Sequence, residues 1–363
     1  MCVYFYSIDP DGMPPILETV KEAEKILLKT EKEKCSFSML GSQRFQRSIQ
    51  KLLFPNQKND DIVSVQTVGS CGALYLSGQV IHEMFTNSKI WISNPTWENH
   101  RTIFNETQNE IKEYCYMSAK EGGVSVEKIF NDLKNASKND FVLFHVCCHN
   151  PTGIDPTISQ WKELSKFCRE KQLLPIFDFA YQGFANGLSS DAAPLEIFKK
   201  YHKMMIVCNS FSKNMGLYDE RVGALSLVHS DKEFKNRFTT LIKRKVRSSY
   251  SIPPVHGAKI VELILNDTIL YRKWIEELSN MKKTLDDKRS CLFKTMADYE
   301  ILDKLVDTKE SKGMFVCLKL SVSQIDKLRE KFGIYILYNG RISIASIALS
   351  DVDNFCKSLL LIV

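Results

Sequence analysis

Lys213 stands in the run NSFSKNMGLYDER (209–221), with Ser210 three residues before it, Ser212 beside it and Arg221 eight residues after. A surface lysine has no use for such company. An amine at its ordinary pKa of about 10.4 is protonated and a poor nucleophile. Joined to a carbonyl as an imine, its pKa falls and the nitrogen can cycle as acid and base. The serine hydroxyls and the fixed guanidinium are donors suited to a dianion such as a phosphate. These residue types therefore suggest a lysine that works with a phosphorylated cofactor.

Asp178 closes the apolar run LLPIF (173–177 of LLPIFDF), where an unpaired carboxylate would be costly to bury. A pyridinium N–H would supply its partner, and a ring nitrogen kept protonated makes the ring an electron sink. A helix N-cap or turn residue is the other reading of an aspartate at this point. Tyr181, three residues on, suits a hydrogen bond to a phenolic oxygen or a packed aromatic position. GSCG (69–72), with Ser70 and Cys71, leads into a helix expected over about 73–86, so its N–H groups and the helix dipole can receive a phosphate. HVCCH (145–149) has metal-ligand residue types. Contiguous strand residues point to alternate faces, however, and do not converge on one tetrahedral ion, so no metal is assigned.

The elements that must position these groups alternate between helix and strand. Apolar spacing at Ile16, Val20, Ala23 and Leu27 predicts a helix over 16–33. Short buried strands are expected at 62–66, WIS (91–93), FVLFHV (141–146), LLPIFDF (173–179) and MMIVCNS (204–210). Helices are expected between them near 124–135, 157–171 and 194–202. This rhythm predicts an α/β fold whose large domain has a mostly parallel sheet flanked by helices. A strand (VGALSLV) follows Arg221, then helices over about 231–247, 254–266 and 268–296. From about 310 come a strand (GMFVCLKL), a helix (SQIDKLREKF), short strands and a last helix from about 349. We divide the chain into a large domain, 16–279, and a smaller α+β domain, 1–15 with 280–363. In such sheets ligands bind beyond the carboxyl ends of the strands, where GSCG, CCHNPTG, DFAYQGFA and NSFSKN all fall.

The 363 residues are 44% hydrophobic and 25% charged, as in an ordinary globular protein. A net charge of +6 is too small for a nucleic-acid inference without clustering. The one tight cluster, KRKVR (243–247), is read as partly active-site. No apolar run reaches the length of a membrane span. Eleven cysteines without a regular framework suggest free thiols in a reducing compartment, and the cytoplasm is the expected location.

With these residues in place, the sequence resembles the aspartate aminotransferases among the class I pyridoxal-phosphate enzymes. SNPTWENH (93–100), FHVCCHNPTGIDPT (144–157), FDFAYQGFA (177–185), SFSKNMGLYDERVGA (210–224) and the arginine of YNGRISIA (338–345) carry the likeness. It implies that Lys213 forms an imine with pyridoxal 5'-phosphate and moves the substrate's α-proton. By the same resemblance Asp178 pairs with the ring nitrogen, with His100 and His145 behind it. Tyr181 and Asn150 bond the ring oxygen, and Trp97 stacks on the ring. Ser70, Cys71, Ser210, Ser212 and Arg221 hold the phosphate. Arg341 takes the α-carboxylate, and Arg247 reaches from the partner of a homodimer with shared active sites to the side-chain carboxylate. The implied reaction is reversible, ping-pong transamination of L-aspartate with 2-oxoglutarate, giving oxaloacetate and L-glutamate. Two other outcomes stay open: a broader enzyme that also accepts aromatic amino acids, and a non-catalytic descendant of the fold.

This chain departs from the family pattern at four places. Cys71 stands where a threonine is usual, Ser36 lies where a partner tyrosine is expected, and Ile252 replaces an asparagine. CVY (2–4) aligns with a GVY segment, so the usual N-terminal arm is expected to lie upstream of the recorded start or to have been lost. A native N-terminal mass matching Met1 or Cys2 would exclude the first of these.

Overall fold

Seven runs rich in Val, Ile and Phe pair into one sheet in the computed structural model, which describes residues 16–35, 38–55, 60–118 and 122–363. In chain order they are β1 (Ile62–Val68), β2 (Ile90–Asn94), β3 (Ile111–Cys115), β6 (Phe141–His145), β7 (Leu174–Phe179), β8 (Met204–Ser210) and β9 (Val222–His229). The two-residue strands β4 (Met117–Ser118) and β5 (Gly123–Val124) form a separate hairpin, and β10 (Phe315–Cys317) pairs with β11 (Arg341–Ser343). The large sheet has the order β1-β9-β8-β7-β6-β2-β3. Six of its strands are mutually parallel, and β9 alone runs against its neighbours β1 and β8.

That one reversal matters for the site. The parallel strands all end at one edge, and β9 begins there. Val222 pairs with Val68 at the end of β1, and Gly223 pairs with Ser210 at the end of β8. Arg221 is therefore delivered between two strand termini, although it precedes its strand rather than following it.

Burial on both faces explains the near-continuous apolar strands. Every residue of β6 and β8 is buried. One face packs Val65, Ile92, Leu143, Ile206 and Leu225 against the helices Gly69–Met84 and Lys232–Ser249. The opposite face joins a larger core, which runs through Phe144, Phe177, Phe198 and Trp274 to Phe315, Ile342 and Phe355. The helix Thr268–Asp298 is continuous through residues 279 and 280, where the sequence division was drawn. Its Trp274 indole N–H donates to the Asn214 carbonyl at 2.7 Å, pinning the residue after Lys213.

Local sequence explains several boundaries. The helix Ile158–Glu170 opens on a reciprocal Thr157–Gln160 capping box, and Val322–Phe332 opens on the same device at Ser321–Gln324. Gly333, with φ of 61°, ends the latter in the left-handed conformation.

Other expectations need correction. The first helix covers Glu18–Thr30 and leaves Ile16 outside it, 62% exposed. GSCG is the first turn of the helix Gly69–Met84 rather than a turn before it. The helix expected at 194–202 covers Leu188–Tyr201, with Pro194 inside it. The Asp191 carboxylate accepts the amides of Gly183, Ala185 and Asn186 and stabilises the earlier start. GMFVCLKL yields only the three-residue strand β10. The expectations placed on residues 1–15 and on Ser36 lie outside the described residues. Among the described residues, no helix is long and apolar enough to cross a membrane.

Candidate active site

A cavity opens at the strand-terminus edge. Ser70, Cys71, Trp97, Asn150, Asp178, Tyr181, Ser212, Lys213 and Arg221 line it, with Ala180 and Tyr218. Nine residues singled out in the sequence thus share one wall. Ser210 lies directly behind, its hydroxyl donating to Ser212 Oγ at 3.0 Å and accepting the Ser212 amide at 3.1 Å.

One end of the cavity is built by close backbone approach. Gly69 takes φ of 65° and donates its amide to the Arg221 carbonyl at 2.9 Å. A Cβ on Gly69 would meet Arg221 Nη2 at 2.6 Å, and one on Gly223 would meet the Gly69 carbonyl carbon at 2.5 Å. Only glycine fits at either position. Arg221 itself is left-handed, with φ of 53°, and its Nη1 donates to the Tyr218 carbonyl at 3.0 Å and to Ser212 Oγ at 3.3 Å. The helix Gly69–Met84 has no side-chain N-cap, so its first amides face the same cavity as this guanidinium. A dianion fits that arrangement. Cys71 is half-buried. Burial pushes its thiol pKa up, against the opposing pull of Arg221 and Lys213, so a neutral thiol stands beside the anion site.

The opposite end holds Asp178, 8% exposed, at the penultimate position of β7. His100 Nε2 lies 3.1 Å from Asp178 Oδ2. His100 Nδ1 is 2.9 Å from Thr96 Oγ1, which lies 3.1 Å from His145 Nε2. The Asn150 amide donates to His145 Nδ1 at 3.2 Å. An amide can only donate, which fixes the tautomer of His145. Burial, then the neighbouring His100, lowers the His145 pKa to about 3, so its ring is neutral with the proton on Nε2. That proton goes to Thr96, and the His100 Nε2 proton goes to the carboxylate. Burial alone would raise the Asp178 pKa. The His100 hydrogen bond and the surrounding charges outweigh it and hold the pKa below the usual carboxylate value. Its other oxygen, Oδ1, is buried and has no partner among the described residues. An anionic oxygen without a donor is expensive, and a protonated ring nitrogen is the donor it lacks.

Lys213 lies between these two ends, its Nζ 5.0 Å from the centre of the Tyr181 ring. Burial lowers its pKa, with Asp178 and Cys71 opposing and Arg221 assisting. The neutral amine, which is the nucleophilic form, is thereby favoured.

Arg341 begins β11 and reaches the cavity through Asn150, its Nη1 donating to Asn150 Oδ1 at 3.1 Å. The guanidinium carbon lies 4.4 Å from the centre of the Phe315 ring, and Nε is buried without a partner. Arg247 is not brought to this cavity within one chain. It is exposed in the last turn of the helix Lys232–Ser249.

In HVCCH the two histidines have other employment. His145 closes the relay described above, and His149 sits between Thr152 Oγ1, at 2.9 Å, and Ser93 Oγ, at 3.1 Å. Thr96 and Tyr218 were missed in the sequence reading. Both lie in runs quoted for other residues, and a threonine two residues after a strand carries no signal of a contact 49 residues away.

Residues 2–359 match the family described as "Aminotransferase class I and II". The aspartate aminotransferase of Escherichia coli (strain K12) is 39% identical over 355 residues, which is 97% of this chain and 90% of that protein. The tyrosine aminotransferase of Klebsiella pneumoniae is 36% identical over 354 residues, covering 96% and 89% respectively. A solved structure of an aromatic-amino-acid aminotransferase from Burkholderia pseudomallei, covalently bound to pyridoxal phosphate, matches with a TM-score of 0.94. It has 32% sequence identity and covers 99% of this chain and 92% of its own.

Proposed function

The chain belongs to the class I and II aminotransferase family, an enzyme family whose cofactor is pyridoxal phosphate, and from that premise we propose that it is an aspartate aminotransferase. The proposed reaction is the reversible exchange of L-aspartate and 2-oxoglutarate for oxaloacetate and L-glutamate. The observation that carries the chemistry is the pairing, on one cavity, of a half-buried lysine of lowered pKa with a buried carboxylate whose second oxygen lacks a donor among the described residues.

Bound here, pyridoxal phosphate supplies an electron sink for the negative charge left when a substrate Cα loses its proton. The protein's part follows from its own residues. Asp178 Oδ1 would receive the ring N–H, with His100 bonded to its other oxygen. Ser70, Cys71, Ser210, Ser212 and Arg221 would hold the phosphate. Trp97 would cover the ring face, and Tyr181 and Asn150 would bond the ring oxygen. Lys213 would hold the cofactor carbonyl and would move the proton of the substrate Cα. Arg341 fixes the α-carboxylate as a bidentate pair, placing the Cα–H within reach of Lys213.

Choice of a dicarboxylic substrate needs a second cation. We assign this to Arg247 of the other subunit in a homodimer, which accounts for its exposure in a single chain. The ten described cysteines are all unpaired, which supports a reducing, cytoplasmic setting. The division into 16–279 and 280–363 with 1–15 belongs to the same reading. A wider range that includes aromatic amino acids is the second reading, favoured by the tyrosine and aromatic aminotransferases among the similar proteins.

The test is the absorption spectrum of the protein with pyridoxal phosphate, before and after L-aspartate. A visible band that bleaches with aspartate and returns with 2-oxoglutarate supports both half-reactions. A band indifferent to aspartate but bleached by an aromatic amino acid would overturn the substrate assignment, and no band at all would overturn the cofactor site.

A further inference from the structure

The turn that presents Asn150 is held by a carboxylate that does not touch the cavity. Asp155 is half-buried and lines a cleft with Asn186, Asp191 and Lys312. Its Oδ2 accepts the Cys148 amide at 2.7 Å, and its Oδ1 accepts the His149 amide at 2.9 Å. Between these amides the chain is left-handed, with φ of 52° at Cys148, a costly conformation for a residue with a side chain. Two charge-assisted bonds from one side chain are what over-determine it.

The same turn also seats the strand pair that carries Arg341. The Lys312 amide donates to the Gly153 carbonyl at 2.6 Å. A Cβ on Gly153 would meet the Phe315 carbonyl at 2.4 Å, and one on Gly313 would meet Cys148 Cβ at 2.5 Å. Phe315 opens β10, and Cys317 of β10 pairs with Arg341 of β11. Asn150 and Arg341, whose side chains meet at 3.1 Å, are therefore both referred to one short loop.

We propose that Asp155 is a positioning residue for substrate carboxylate binding, holding the Cys148–His149 turn so that Asn150 and Arg341 keep their mutual placement. The proposal rests on the aminotransferase reading above and adds to it a residue outside the cavity. Acceptance of two amides requires the ionised carboxylate, because a protonated oxygen becomes a donor facing an N–H. Burial raises the Asp155 pKa to about 6, while the two amides lower it. The charged groups that face it are the Asp191 carboxylate of the helix Leu188–Tyr201, which raises it, and Lys312, which lowers it. Glu310 lines the same cleft.

The test uses Asp155→Asn, which keeps the shape but turns an amide N–H donor toward one of the two backbone amides. In cofactor-free protein, hydrogen exchange at Cys148 and His149 should accelerate by about tenfold or more, with the helix Lys232–Ser249 unchanged. In the loaded enzyme, KM for L-aspartate should rise about tenfold with kcat within about threefold. A general loss of folded protein would lower apparent kcat and leave KM alone. Unchanged exchange in a folded variant overturns the proposal, and so does faster exchange with unchanged KM. If the variant does not fold, Asp155→Ser, which is smaller and leaves both amides without their carboxylate, decides the matter. Exchange at the same two amides should again rise about tenfold, and unchanged exchange overturns the clamp. Should the unsubstituted chain act on no amino acid, the function reading fails, and the exchange measurements still decide whether Asp155 holds the turn.

Discussion

Gly69 and Arg221 are fitted to each other: the Gly69 amide donates to the Arg221 carbonyl at 2.9 Å, and the guanidinium fills the space a Cβ on Gly69 would need. The residue that leads the helix Gly69–Met84 and the guanidinium on the same cavity thus share one backbone contact, across β1 and β9.

Gly69→Ala should therefore act on cofactor retention. It places a methyl 2.6 Å from Nη2 on a backbone with positive φ, a strain of about 1–3 kcal/mol, and it displaces the guanidinium. The expected result is a cofactor Kd raised about tenfold or more, read by fluorescence titration with pyridoxal phosphate. An unchanged Kd would separate Arg221 from the phosphate.

Thr96→Val tests the hydrogen-bonded relay. The isosteric change leaves the His145 Nε2 proton without an acceptor and His100 Nδ1 without its hydroxyl partner, both in buried surroundings. Unmet buried groups cost about 1–3 kcal/mol each, so the urea midpoint should fall clearly. Turnover should fall as well, because His100 no longer has a fixed orientation toward Asp178. A variant as stable and active as the parent would show that the relay is not organised through Thr96.

Acid stability follows from the buried histidines, with opposite signs at Asp155. His145 binds a proton in the unfolded chain near the ordinary histidine value of 6.5 but in the folded chain only near 3, and burial likewise lowers His149 and His202. The unfolded state then holds more protons, so stability is full above about pH 6.5 and falls as pH drops toward 3. Asp155, with its pKa raised to about 6 from 3.8, works the other way, adding stability as pH falls through 6. Three histidines against one strongly raised carboxylate give a net loss. Chemical denaturation from pH 7.5 to 4 should show a midpoint that falls steadily, and His145→Gln should flatten the slope.

Much of this was legible because apolar strands and their polar ends are local signals. β8 fits its run without adjustment, and Lys213, Asp178, Asn150 and Ser70 each follow a buried strand or close one. What escaped was set by distant contacts. The reversal of β9 leaves no mark in VGALSLV, since a strand buried on both faces reads the same in either direction. The edge strand β3, IKEYC, has only one fully buried residue and so lacks an apolar run. Thr96 gained its role only when β2 and β6 were laid side by side. The left-handed backbone at Arg221 and Cys148 offended local rules, and both positions border the site, as strained residues often do.

Lys213→Ala should abolish transamination while the folded protein still binds pyridoxal phosphate noncovalently through the Arg221 and Asp178 ends. Separate measurements of cofactor binding and turnover read the two effects. Normal turnover would remove Lys213 from the mechanism.

The assignment of Arg247 to the other subunit has a test that a single variant cannot give. Arg247→Ala alone should reduce kcat/KM for aspartate far more than for an aromatic amino acid, because only the former has a second carboxylate to lose. Equal losses would mean Arg247 does not read the side chain. Mixing that variant with Lys213→Ala under conditions that exchange subunits then distinguishes the geometry. If Arg247 acts across the dimer, a hybrid has one site with an intact Lys213 from one chain and an intact Arg247 from the other, and activity should return to about a quarter of the parent in an equimolar mixture. If Arg247 serves its own chain, no hybrid site is complete and mixing restores nothing. The exposed position of Arg247 at the end of its helix, away from the cavity lined by its own chain, favours the first outcome.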